Sequence, residues 1–351
     1  MENIRRSRAV PILAALLAAV VALTLVWDDP AEARKKKKRR GVERIVFTSN
    51  RSIDPEDPLT TDREIFSIKP DGTGLKQLTT NSALDDGPVI SPNGTKIAYS
   101  SQDPIGNVEG DREIFVMNTD GSKKTNVTNT PAGVEDFTPD FSPDGKKIAF
   151  TRGDLSASDI YFINVDGTGT FAFIDDESWP EFRPVFSPDG QRIAFTSLDT
   201  LSPNDFEIFD ASVSDGSSWQ NLTGNETQDY RPEYSPDGRK IYYDSAGPGP
   251  LNGDGDFDVM VMNFDGSVPA NLTEESLLDD LRPSVRRSGT QIVFERLKPP
   301  ATTNPRSTPR DKEGELWIMD ATTGSLNNSA PLTDTGFAVI NQLPDWGRVR
   351  S

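Results

Sequence analysis

The sequence contains no cysteine and no histidine. Without cysteine there is no disulfide, no thiolate nucleophile and no Cys-ligated zinc, and the redox compartment stays open. Without histidine, Ser-His-Asp and Cys-His triads, imidazole general bases and His-ligated zinc or iron sites are excluded. Any catalysis would fall to carboxylates, lysine, tyrosine or a bound metal. Positive charge is also scarce: 37 Lys and Arg stand against 55 Asp and Glu in 351 residues, a net of −18. With 34% hydrophobic residues the chain can still bury a large core. Its 27 glycines and 27 prolines are scattered through alternating segments and read as turn punctuation.

Charge and hydropathy are not spread evenly. Residues 9–27, AVPILAALLAAVVALTLVW, follow Arg5, Arg6 and Arg8 and precede Ala31-Glu32-Ala33, the layout of a secretory signal with a small-residue cleavage site. Residues 1–33 are therefore expected to be a signal peptide, with an uncleaved membrane anchor over 9–27 as the alternative, since 19 apolar residues can just span a bilayer. The run RKKKKRR at 34–40 opposes export by the positive-inside rule and forms a basic linker. Residues 41–351 then carry 27 basic and 51 acidic side chains, a net of −24. Such a body repels phosphate backbones, so no nucleic-acid partner is expected. The tail, residues 1–40, could touch anionic lipid or cell-wall polymer, or serve only as a solvated spacer.

From residue 44 the chain repeats itself with a period of roughly 45 to 60 residues, the range of propeller blades. TPDFSPDGKKIAFTR, RPVFSPDGQRIAFTS, RPEYSPDGRKIYYDS, GPVISPNGTKIAYSS and RPSVRRSGTQIVFER are copies of one unit, marked by Pro88, Pro139, Pro184, Pro232, Pro283 and Pro344. Alternation and turn chemistry divide each unit into four strands, A to D. Ser-Pro-Asp-Gly reverses A into B, and Asp-Gly reverses C into D, which usually ends in Leu-Thr or Val-Thr. The first segment, ERIVFTSN at 43–50, is a B strand with no A strand before it, and the last, AVINQLPDWG at 338–347, is an A strand with nothing after it. Together they predict an all-β, six-bladed propeller over 41–351, with four antiparallel strands per blade and the C-terminal strand closing the N-terminal blade.

Repeats of the form D-x-x-P-x-F-S-P-D-G followed by an aliphatic strand resemble those of the TolB-like and WD-like propellers. The resemblance covers about residues 42–349 and recurs in every blade. It implies an extracytoplasmic envelope protein, periplasmic, cell-surface or secreted, that binds other proteins. The TolB pattern also includes a separate α/β domain ahead of its propeller, where this sequence has only the basic tail, so membership of a Tol-Pal complex is not implied.

Several motifs have both a chemical and a structural reading. Asn126-Val127-Thr128, Asn221-Leu222-Thr223 and Asn271-Leu272-Thr273 fit a glycosylation pattern, but recurrence at one blade position favours a strand-end device. Asn252, Asp254, Asp256 and Asp258 alternate as calcium ligands do, yet Phe257 stands where the loop wants glycine and no glutamate follows at the right distance, so a solvated acidic turn is favoured. No cofactor is expected. Asp85, Asp136, Glu181, Asp229 and Asp280, each three residues before a marker proline, repeat too regularly for one catalytic event and point to scaffolding.

What the blades do not share locates the candidate site. Residues beside the marker prolines should lie near the channel mouth, on the face of the variable B–C and D–A loops. Before the proline, Arg183, Arg231 and Arg282 form a cationic arc. After it stand Asp140, Glu233 and Asp345. The arc suits a carboxylate or other anionic group, while the structural alternative is that it neutralises acids of strand A. The expected function is a monomeric protein- or glycan-binding scaffold without enzymatic activity, with a carboxylate-dependent hydrolase or lyase of extracellular carbohydrate as the alternative.

Overall fold

Apolar residues at every second position, interrupted by turns that tolerate only a few residue types, leave the repeat little choice but a stack of short antiparallel strands. In the Ser142-to-Lys147 turn, Gly145 at φ +69° donates its N–H to the Ser142 carbonyl at 2.7 Å, and Asp144 accepts from the Lys146 amide at 3.0 Å. Proline sets the first torsion, aspartate caps the turn and glycine takes the left-handed one. The computed structural model describes residues 41–51, 59–104, 110–154, 157–174, 179–198, 205–216, 219–246, 256–274, 276–297, 314–327, 331–333 and 341–349.

Blades 2 to 5 each form one sheet ordered A-B-C-D; in blade 5 the strands are Gln228–Tyr234, Lys240–Ala246, Phe257–Asn263 and Ala270–Asn271. Blade 6 has Asp280–Val285, Gln291–Leu297 and Gly314–Asp320, and among the described residues its fourth strand is a bridge between Met319 and Leu326. Blade 1 is assembled from both ends of the sequence. Asn341–Val349 pairs antiparallel with Val42–Arg51, bringing Trp346 opposite Ile45 and Val349 opposite Val42, and Leu59–Ile68 and Lys76–Gln77 complete the sheet.

Because side chains alternate across a strand, each blade offers one apolar face to each neighbour. Ile45 and Phe47 pack with Val293, Leu316 and Ile318 of blade 6, whereas Val46 packs with Ile97, Tyr99 and Phe115 of blade 2. Six such clusters join six blades. An open arc would have only five, so the ring is closed. Trp346, 4% exposed, belongs to the cluster between blades 1 and 6. The side chains of Val339, Ile340 and Leu343, expected to share this closure, lie outside the described residues, as do residues 1–40. At Gly266, φ +83°, a Cβ would stand 2.4 Å from the Leu222 carbonyl oxygen of blade 4, so the C–D turn lets one blade lie directly on the backbone of the last.

Three of the acids ahead of the marker prolines are bonded within their own blades. Arg152 grips Asp136 through bonds of 2.7 and 2.8 Å, Arg296 grips Asp280 through two of 2.6 Å, and Ser101 donates to Asp85. A second acid on strand C has a partner in the strand-end threonine. Thr128, Thr223 and Thr273 donate to Glu113, Glu207 and Asp258. The asparagine two residues earlier accepts the threonine amide, at 3.1 Å for Asn126, 3.1 Å for Asn221 and 2.8 Å for Asn271, which is the strand-end device the repetition implied.

Candidate functional site

Strand A is broken at its marker proline. Proline has no N–H to give the ladder, and the register slips there: between Phe182 and Val185, Tyr230 and Glu233, and Leu281 and Ser284. The residue before it takes a left-handed backbone in blades 2 to 6, at φ +61° for Gly87, +50° for Thr138, +58° for Arg183, +57° for Arg231 and +56° for Arg282. An L-residue gives up about 1–2 kcal/mol to sit there. The bulge turns these side chains into the central channel, where they line a cavity of about 480 Å³ together with Asp140, Glu233 and Asp345. Arg183, Arg231, Arg282, Asp140, Glu233 and Asp345, named from the sequence, all line this one cavity. The lining also includes Pro92, Pro143, Pro188 and Pro236 of the A–B turns, so the cavity extends to that end of the channel. By position along strand A, the arginine level is the nearer of the two to the B–C and D–A loops.

The arginines do not pair with the acids expected of them. Arg231 is bound to Asp244 and Arg282 to Glu295, both acids on strand B and both with fully buried side chains. Burial pushes Asp244 and Glu295 up from the usual carboxylate range, and Arg231 and Arg282 oppose that. These two acids were missed, although a signal existed. They stand where the other blades have Thr48, Ser100, Thr151 and Thr196, opposite the residue preceding the arginine or its counterpart.

Arg183 is different. Its backbone N–H donates to Thr151 Oγ1 at 3.1 Å, but its guanidinium has no hydrogen bond or ion pair among the described residues. Thr196 stands where Asp244 and Glu295 stand in the next two blades. Burial, then the charges of Arg231 and Arg282, push the Arg183 guanidinium down to about 9, still charged at neutral pH. The site thus holds two matched cations and one unmatched.

Asp140, Glu233 and Asp345 sit on alternate blades and tie each to the next. Asp140 accepts from the Phe186 amide at 2.8 Å and Asp345 from the Ile90 amide at 2.6 Å, and Glu233 is held by the Val285 amide. Burial, the largest cause, raises all three, and mutual repulsion adds to it for Asp140 and Glu233; Asp140 comes to about 7 and Asp345 to about 6. Of the candidate calcium ligands, Asn252 and Asp254 lie outside the described residues. Asp258 is engaged by Asn271 at 2.8 Å and Thr273 at 2.7 Å.

A family model described as the TolB beta propeller domain matches residues 110–302, more than half of the sequence. The chain belongs to this family. A TolB homologue of Chlorobium luteolum is 30% identical over 162 residues, covering 36% of this chain and 35% of its own length. One from Chlorobium chlorochromatii is 28% identical over 159 residues, covering 35% and 34%. The chain thus matches about a third of the length of these TolB relatives. Among solved structures, TolB from Acinetobacter baumannii superposes with a TM-score of 0.63 at 21% identity over 86% of this chain and 66% of that one. A chain of a nidogen/laminin complex superposes with a TM-score of 0.62 at 11% identity over 87% and 98%. At such identities the likeness speaks for the propeller fold alone.

Proposed function

We propose that this TolB-family propeller is an extracytoplasmic binding and scaffolding module of the cell envelope, a monomer without cofactor or enzymatic activity. Its partner, a protein or a glycan, docks over the B–C and D–A loop face and places an anionic group on the arginine arc. Family membership supports a binding role, and the leader-like residues 1–33 support the compartment. The observation that carries the reading is the unmatched Arg183 guanidinium in the channel, held in a strained backbone beside two arginines that already have partners. A half-buried cation repelled by its neighbours is stabilised by an incoming anion, and a guanidinium fork suits a carboxylate. Arg183 is also the cleanest residue to remove, because no partner acid is left behind.

The test is capture of partners from native envelope extract by the full chain. Arg183→Ala should weaken capture at least tenfold with an unchanged circular dichroism spectrum, and undiminished capture by the folded variant would refute the reading. Release of sugar fragments from an extracellular polysaccharide, abolished by Glu233→Gln, would instead establish the carboxylate-dependent hydrolase or lyase.

A further inference from the structure

The channel presents a cation at one level and a ring of carboxyl groups at the other. At the arginine level the pairs Arg231–Asp244 and Arg282–Glu295 cancel, as does Arg63–Asp86 at 2.9 Å, leaving the charge of Arg183 over. Two residues along strand A, the level of Asp140, Glu233 and Asp345 has carboxylates on three alternate blades. Arg287, whose charge lowers Asp345, donates to the Pro92 carbonyl oxygen at 2.7 Å. Both levels line the same cavity of about 480 Å³, within the ~300–1,000 Å³ of small-molecule sites. With a strand rise of about 3.3 Å per residue, shortened by the bulge, the backbone positions of the two levels are separated by roughly 5–7 Å.

We propose that the channel binds a small zwitterion, such as a dipeptide with free termini, whose carboxylate meets Arg183 and whose ammonium meets the ring of Asp140, Glu233 and Asp345. Recognition of the carboxylate end rests on the reading of Arg183 given above; recognition of the ammonium end is new. The bulge fixes the backbone of the arginine, and amides of the following blade hold Asp140 and Asp345. An ammonium has three N–H donors and no acceptor, matching a threefold ring of acceptors. A free anion would meet Arg183 but gain nothing from the ring, and a free amine would gain nothing from Arg183. Only a ligand carrying both charges uses the whole channel.

The experiment is calorimetric titration of the full chain with alanyl-alanine, its N-acetyl form and its C-terminal amide. The free dipeptide should bind at least tenfold more tightly than either capped form. Arg183→Gln should abolish the preference over the amide and leave that over the N-acetyl form. Asp140→Asn with Glu233→Gln should do the reverse, and both substitutions keep a carbonyl oxygen for the interblade amides, so a melting temperature near wild type verifies the fold. Equal binding of the three compounds, or none at millimolar concentration, would overturn the proposal. If that occurs while envelope capture still depends on Arg183, the zwitterion fails and the binding module stands. If capture is also indifferent to Arg183, both fall.

Discussion

Replacing Trp346 by alanine should open the ring at its closure. The indole lies among Ile45, Phe47, Phe66, Val293 and Leu316, with the Arg286 guanidinium 5.3 Å from its centroid, and the residue's own amide donates to Ser284 Oγ of blade 6 at 3.1 Å. Truncating a buried aromatic to alanine costs about 3–5 kcal/mol. Losing the stacked guanidinium adds about 0.5–1 kcal/mol. The sum, about 3.5–6 kcal/mol, is comparable with the whole ~5–15 kcal/mol stability of a native protein. Phenylalanine separates packing from hydrogen bonding, because the indole Nε1 is buried without a partner among the described residues. Removing such an orphan donor recovers about 1–3 kcal/mol, so Trp346→Phe should cost far less than Trp346→Ala. Urea unfolding of the full chain, with the midpoint and slope fitted separately, reads both. A Trp346→Ala protein within about 1 kcal/mol of wild type would refute closure through this residue, since that is well below any core aromatic loss.

Arg231→Ala should destabilise by about 3–5 kcal/mol because it leaves Asp244 buried and uncompensated. Urea midpoints should show that Arg231→Ala combined with Asp244→Asn recovers part of this loss; an Arg231→Ala protein as stable as wild type would show that the pair carries no weight. Stability should also fall as pH rises from 5 to 8. Burial raises Glu64 and Asp140 to about 7, Glu207 to about 8, and Asp85, Asp136, Asp229, Asp280 and Asp345 to about 6. A carboxyl raised in the folded state binds its proton more tightly there than in the unfolded chain. Its contribution is therefore full below the unfolded value near 4 and is lost through the folded value. Urea midpoints at constant ionic strength that rise between pH 5 and 8 would contradict this.

The ring was legible because its signals are local and repeated. ERIVFTSN without a strand A and LPDWG without a strand B predict the pairing that sets Ile45 against Trp346. Pro88, Pro139, Pro184, Pro232 and Pro283 marked the channel for a reason the sequence contains only in part. Proline predicts a break in the ladder, but the left-handed residue ahead of it is set by the bulge and runs against the usual preference before proline. That torsion decides where Arg231 and Arg282 reach, so Asp244 and Glu295 could be seen as departures from Thr and Ser but not as partners. The ties from Asp140 to Phe186 and from Asp345 to Ile90 depend on how far one blade is rotated from the next, which no segment of sequence encodes by itself.

The unmatched charge of Arg183 is tested most directly by thermal unfolding of the full chain in acetate and in chloride at one ionic strength and pH 7. A ligand at a hundred times its dissociation constant adds about 2.7 kcal/mol to the folded state. Acetate should raise the melting temperature of the wild type by several degrees and leave that of Arg183→Ala unmoved, and an equal rise in both proteins would contradict an anion site at Arg183.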